Sequence, residues 1–317
     1  MSQTLDHASS RPSFLDGKVK SLLIDGEWVP SISGETYESI NPSTGEVIGH
    51  IAAADAADVD RAVAGARRAF EGPWSKFTGV QRQNVLLRFA DLVLEHAAEL
   101  PLLDTYDMGM PVRNANGYAE MVAQIIRYYA GWATKIGGDT IPVSAPGSNF
   151  VYTTRRPIGV VGSIIPWNGP FMMAVQKLVP VLLTGSTTVF KPAEDASMSP
   201  LLLGELVNQL DLPPGVVNVV TGLGSSVGAA IANHPGIDKI AFTGSTATGQ
   251  GIVRAAADNL KRVSMELGGK SPDVIFADAD LNKAVPGAGM AVFGNTGQVC
   301  LAGSRIFVER PIYDEFV

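Results

Sequence analysis

The chain has 317 residues, with Lys+Arg 24 against Asp+Glu 31, a formal net charge of −7. That length allows about two domains at ~150 residues each and a large buried core, while the negative balance argues against a nucleic-acid surface or an anionic-membrane binder, both of which need basic patches. Charged residues make up 17% of the chain, below the usual ~25%, so part of the surface is expected to be covered, as by a partner subunit.

The lone cysteine, Cys300, excludes an internal disulfide and a zinc site built from several cysteines. His7, His50, His96 and His234 form no i,i+4 pair, so no metal site is expected. The first residues carry no apolar h-region and no arginine-rich amphipathic face. No run approaches ~18 uninterrupted apolar residues. The expectation is a reducing cytoplasm, with no membrane and no nucleic acid as partner.

In chain order, residues 1–20 are polar and read as a loose arm. From Leu22 to about Ile48, short apolar runs broken by Asp25-Gly26, Ser33-Gly34 and Asn41-Pro42 read as small strands and turns. Val59, Ala62, Val63, Ala66, Ala69 and Phe70 then take up helical spacing. Val85, Leu86, Phe89, Leu92 and Val93 repeat it, with Pro101 just past that helix. A third helix is expected from Tyr118 to about Ile136, ending at Gly137-Gly138. Residues 140–157 surround the turn Ala145-Pro146-Gly147 and read as an extended hairpin that leaves the domain body.

After Pro157 the rhythm becomes strand, helix, strand. Apolar runs at 159–166, 186–192, 215–222, 239–245 and 262–268 alternate with helical stretches that include 199–209, 225–233 and 246–258. Short strands separated by crossover helices imply an α/β fold with a doubly wound parallel sheet. Pro180 falls inside the first crossover helix and is expected to kink or end it. After Ser271 the pattern restarts, with strands at 272–278 and 305–309 around a helix from about Leu281. The expected organisation is a first α/β domain over 21–139 and 158–267, the hairpin over 140–157, and an incomplete second α/β domain over 268–317.

Ligands of open α/β sheets bind beyond the carboxyl ends of the strands. PWNGP, with Trp167 and Asn168, follows one strand, and Lys191-Pro192-Ala193-Glu194 follows the next. Gly244-Ser245-Thr246-Ala247-Thr248-Gly249 opens a helix whose N-terminus suits a pyrophosphate. Each loop alone also reads as a plain strand-to-helix turn. Taken together, PWNGP, KPAE, FTGST, ELGGKSP and GQVC, in that order and spacing, resemble the NAD(P)-dependent aldehyde dehydrogenase superfamily, in its hydrolytic branch. The resemblance runs from about Leu22 to the end of the chain.

That resemblance implies oxidation of an aldehyde to a carboxylic acid, with Cys300 as nucleophile and Asn168 as oxyanion donor beside the backbone N–H of Cys300. Glu266 is implied as the base for thioester hydrolysis, with a pKa raised at the end of a buried strand. Lys177 matches a supporting, proton-relay lysine, and a solvated helix lysine is an equal alternative. Lys191 and Glu194 resemble the pair that holds the adenosine ribose. A carboxylate there accepts from free hydroxyls and repels a 2′-phosphate, favouring NAD over NADP. Gly244, Ser245 and Gly249 are expected near the pyrophosphate, and Gly224 and Gly228 near the adenine. Ile165, Pro166, Trp167, Leu267 and Gly268 complete the expected cofactor cleft.

Gly169 stands where the family often has an aromatic residue. With Met172, Met173 and Gln176 it suggests a roomier substrate tunnel, although methionines at helical spacing also read as core. Family members continue well beyond the nucleophile, with further nicotinamide contacts and a strand that pairs with a partner's hairpin. The resemblance therefore implies a homo-oligomer, dimer or tetramer. Two other classes stand beside the oxidoreductase: a catalytically silent NAD-binding or assembly module, and a cysteine hydrolase, which the absence of a histidine near the motifs argues against.

Overall fold

Turn chemistry and capping residues place most of the elements in the computed structural model, which describes residues 11–317. Left-handed Asp25 and Gly26 fold β1 (Leu22–Ile24) onto β2 (Glu27–Val29), and β3 (Thr36–Ile40) pairs with β4 (Val47–Ala52). Asp55 and Thr78 form capping boxes at the starts of α1 (Ala56–Glu71) and α2 (Gly79–Glu95). Next come α3 (Leu100–Met108) and α4 (Tyr118–Ala130). The hairpin β5 (Thr140–Ile141) and β6 (Val151–Tyr152) follows, exposed at both strands.

The α/β core then runs β7 (Val160–Ile164), α5 (Pro170–Thr184), β8 (Thr187–Lys191), α6 (Met198–Asn208), β9 (Val217–Val219) and α7 (Ala229–Asn233). It closes with β10 (Lys239–Gly244), α8 (Thr246–Ala256) and β11 (Arg262–Leu267). After it, β12 (Pro272–Ile275), α9 (Leu281–Phe293) and β13 (Arg305–Val308) make a separate two-stranded parallel sheet, followed by the short α10 (Tyr313–Phe316).

The main sheet has seven strands in the order β11-β10-β7-β8-β9-β1-β2. The five from β11 to β9 are parallel, as the crossover pattern predicts. Alternating residues face opposite layers: Val189 packs with α1, α7 and α8, while its neighbour Phe190 packs with α2, α4, α5 and α6. Fully burying a side chain such as Phe89, Phe171 or Phe190 contributes about 1.5–3 kcal/mol, so the layer that Phe190 faces is firmly held.

The sheet is dominated by those parallel strands, as expected, and β1 extends it antiparallel through Leu23 opposite Val219. Two expectations need correction. The N-terminal arm is packed from residue 11 onward: Phe14 and Leu15 are buried, and Glu99 accepts from the Ser13 hydroxyl and the Phe14 N–H. Residues 1–10 of that arm lie outside the described residues. Pro101 follows α2, as expected, and sits in the first turn of the next helix, α3, where its missing N–H costs nothing. Helix α5 continues through Pro180 to Thr184, because Leu178, Val179, Val181, Leu182 and Leu183 are all buried around the proline. Its stop is Gly185, left-handed at φ 81°.

The start of β7 depends on a glycine. Gly159 has φ +123°, and a Cβ there would lie 1.9 Å from Asp238 Oδ2. That oxygen accepts from the Val160 N–H at 2.7 Å and from Arg67 Nη2 at 2.6 Å. A side chain at position 159 would collide with this knot.

Candidate active site

Each parallel strand delivers its carboxyl-end residues to one side of the sheet, and there a cleft of about 1140 Å³ opens. From the end of β7 it takes Ile165, Pro166, Trp167, Asn168 and Gly169, and from α5 it takes Met172 and Met173. Lys191 and Glu194 come from the end of β8. Gly224 and Gly228 come from the turn after β9, Gly244 and Ser245 from β10 and the start of α8, and Glu266, Leu267 and Gly268 from β11. Cys300 is exposed and faces the same cleft from the loop before β13.

Three expected residues do not line it. Gln176 is exposed on α5. Gly249 is buried against β11, where a Cβ would lie 2.7 Å from Leu267 Cδ2, so its small size serves helix–strand contact. Lys177 is half-buried on α5; burial lowers its pKa, and the facing Glu266 carboxylate opposes that shift. Glu266 itself departs from expectation in another way. It is exposed, because β11 is the edge strand of the sheet and not a buried one.

Lys191 and Glu194 form a built pair. The Lys191 ammonium is almost fully buried and donates to Glu194 Oε2 at 3.1 Å and to the Pro192 carbonyl at 2.9 Å. Burial lowers the Lys191 pKa, and Glu194 partly counters it. On Glu194, burial pushes the carboxyl up, but Lys191 and the Gly224 N–H together hold it below the ordinary carboxylate range. That N–H donates to Glu194 Oε1 at 3.0 Å. Glycines 224 and 228 keep the floor open, since Cβ atoms there would sit 3.6 Å from Glu194 and 3.8 Å from Lys191. At the start of α8, Ser245 accepts from the Thr248 N–H at 3.2 Å, while the helix's positive end faces the cleft. An anionic carboxylate beside a bare glycine floor and a helix N-terminus suits a ribose and a pyrophosphate of a dinucleotide.

Around the thiol, the partners were not foreseen. Asn168 Nδ2 donates to the Gln298 carbonyl at 2.7 Å, and Asn295 Nδ2 donates to the Asn168 carbonyl at 2.8 Å. These two bonds tie the end of β7 to the loop that carries Cys300 across 130 and 127 residues of sequence. Asn295 and the β-branched Thr296 both adopt left-handed φ, 49° and 57°. Next to Gly294 and Gly297, an asparagine is the only sequence hint of such a turn. Beyond Gly169, a Cβ would meet nothing within 4 Å, and Met108, Met110, Asn114 and Tyr118 extend the lining on that side. No cluster of three or more potential metal ligands occurs among the described residues.

The family model described as aldehyde dehydrogenase family matches residues 28–317. Aldehyde dehydrogenase family 2 member B4 of Arabidopsis thaliana is 52% identical over 299 residues, covering 93% of this chain and 55% of that protein. Human retinal dehydrogenase 2 is 49% identical over 308 residues, covering 96% of this chain and 59% of that protein. The NAD+ complex structure of aldehyde dehydrogenase from Bacillus cereus matches with a TM-score of 0.92 at 45% identity, over 96% of this chain and 62% of that one. The chain belongs to the aldehyde dehydrogenase family. It spans between 55% and 62% of the length of these three proteins.

Proposed function

We propose that this protein oxidises an aldehyde to a carboxylic acid with NAD as oxidant. The carrying observation is that Cys300, Asn168, Glu266 and the Lys191–Glu194 pair open onto one cleft. The Cys300 thiolate forms a C–S bond to the carbonyl carbon, and the carbonyl π electrons move to oxygen. Asn168 offers that oxyanion its second amide hydrogen, the first being held by Gln298. The backbone N–H of Cys300 is the other donor. Losing one such donor typically costs ~10²–10³ in rate. NAD, when bound, supplies the acceptor for the hydride that leaves the tetrahedral carbon.

The acyl group then remains on Cys300 as a thioester. Glu266 takes a proton from water, the hydroxide oxygen bonds to the acyl carbon, and the thiolate leaves with the C–S electron pair. Exposure of Glu266 on the edge strand gives it access to that water. The Glu194 carboxylate supports NAD over NADP, since it would repel a 2′-phosphate. Under the same reading, 21–139 with 158–267 serve as the cofactor domain and 268–317 open the catalytic one. The hairpin over 140–157, with Phe150 78% and Tyr152 60% exposed, would bridge to a second subunit in a homo-oligomer.

The test is aldehyde-dependent NADH formation by the intact protein and by Cys300→Ala. The expected result is turnover that the substitution abolishes. Nucleotide binding without turnover in the unsubstituted protein would instead favour an assembly or binding module.

A further inference from the structure

The loop carrying Glu194 is held from outside the cleft by groups that the reaction does not touch. Asp107, at the end of α3, is 2% exposed, and its carboxylate reaches two other elements. Oδ2 accepts from the Met198 N–H at 2.7 Å, at the start of α6. The Ser197 N–H also donates to this carboxylate. Oδ1 accepts from the Ser39 hydroxyl of β3 at 2.5 Å.

A second strut comes from Tyr37, two residues earlier on β3. Its hydroxyl lies 3.0 Å from Ser197 Oγ, and Ser197 Oγ donates to the Ala193 carbonyl at 2.8 Å. Because the serine hydrogen is committed to Ala193, Ser197 can only accept from Tyr37, whose hydroxyl is also hydrogen-bonded with Thr221. Residues 193–198 are thus fixed at both ends: Tyr37 acts through Ser197 on Ala193, and Asp107 holds Ser197 and Met198. Glu194 lies between those anchors. It reaches Lys191 and Gly224 with no partner from β3 or α3.

We infer that Asp107 and Tyr37 are positioning residues that set the cofactor affinity by holding the Glu194 loop in place. The inference rests on the reading of Glu194 as a dinucleotide contact. Three donors converge on the Asp107 carboxylate, so position 107 needs a side-chain acceptor. Alanine leaves them unpaired. Asparagine satisfies them again, since its oxygen can take the backbone N–H groups while the Ser39 hydroxyl turns to accept from its amide.

The test measures NAD dissociation constants by fluorescence titration, with KM for NAD and kcat, on the intact protein. Asp107→Ala should weaken NAD binding by about tenfold, equivalent to about 1.4 kcal/mol, with kcat at saturating NAD within about twofold. Asp107→Asn should restore the affinity. Tyr37→Phe, which removes one hydroxyl, should weaken NAD binding by about threefold; it carries the test if Asp107→Ala does not fold. A merely structural role would lower the melting temperature and leave the dissociation constant of the folded protein unchanged. Unchanged NAD affinity in Tyr37→Phe and in folded Asp107→Ala overturns the inference alone. An unsubstituted protein that fails to bind NAD overturns both this inference and the reading of Glu194.

Discussion

The two ends of the cleft are built by different means. At the Glu194 end every polar group is held by a strand end or a helix start of one sheet, and Lys191 is sunk almost completely into the protein. At the Cys300 end the thiol rides on an exposed loop of the second, smaller sheet. Two side-chain amides, Asn168 and Asn295, tie that loop to β7. The first end is preformed, and is the receptor in the function we propose. The second is a joint between two bodies, so its geometry depends on contacts that a single substitution can undo.

Substitutions at each end should therefore fail in different ways. The largest effect is expected at Glu266, which faces the cleft from the edge strand β11 of the main sheet. Glu266→Gln should keep a first burst of NADH but slow steady-state turnover by about 10²–10⁴, the usual worth of a general base. Rapid-quench and steady-state assays on the same sample check this, and an unchanged steady state would remove Glu266 from the mechanism. At the receptor end, Glu194→Gln keeps an oxygen for the Gly224 N–H but loses the charge. Selectivity for NAD over NADP should fall by about tenfold, with kcat little altered, as read from paired cofactor titrations.

The smallest effect concerns the scaffold beneath both ends. Asp104 on α3 is fully buried, bonded to the Ser199 hydroxyl and to the Phe171 N–H at 3.4 Å. Burial pushes its pKa up to about 8, and the Asp107 charge adds to that rise, against the two hydrogen bonds. An unfolded aspartate titrates near ~3.9. Between those values the folded state binds more protons, so this group's contribution to stability is full below about pH 4 and is lost as pH rises toward 8. Asp104→Asn should reduce the fall in melting temperature between pH 5.5 and pH 8 by about 2 °C or more. Thermal scans at the two pH values check it, and an identical fall in both proteins would count against a raised Asp104.

Local pattern carried the reading of the sheet and of the strand-end motifs, because crossover strands are short, apolar and separated by helices of the right spacing. PWNGP and KPAE could be placed on the cleft for the same reason. What local pattern could not reveal were facts of long-range pairing. Leu23 meets Val219 across 196 residues, which no window of sequence contains. Glu266 was expected at the end of a buried strand, yet β11 is the sheet's edge and RVSMEL is largely exposed, unlike the continuously buried runs of its neighbours. Gln298 and Asn295 had no signal beyond an asparagine among glycines. Asp104 and Asp107 read as ordinary helix acids, since burial of a carboxylate is visible only once α5 and α6 dock on α3. Pro180 misled for the opposite reason: the penalty of a proline is local, and the packing that overcomes it is not.

Gly159 has an effect far from where it sits. The same five-residue strand that begins at its Asp238 knot ends just before the Asn168 amide, about 3.3 Å further per residue. An alanine at 159 would displace Asp238 and press on the near end of the strand whose far end leads to Asn168. Genetic variation at this position should therefore surface as impaired chemistry in a protein whose reactive groups are all intact.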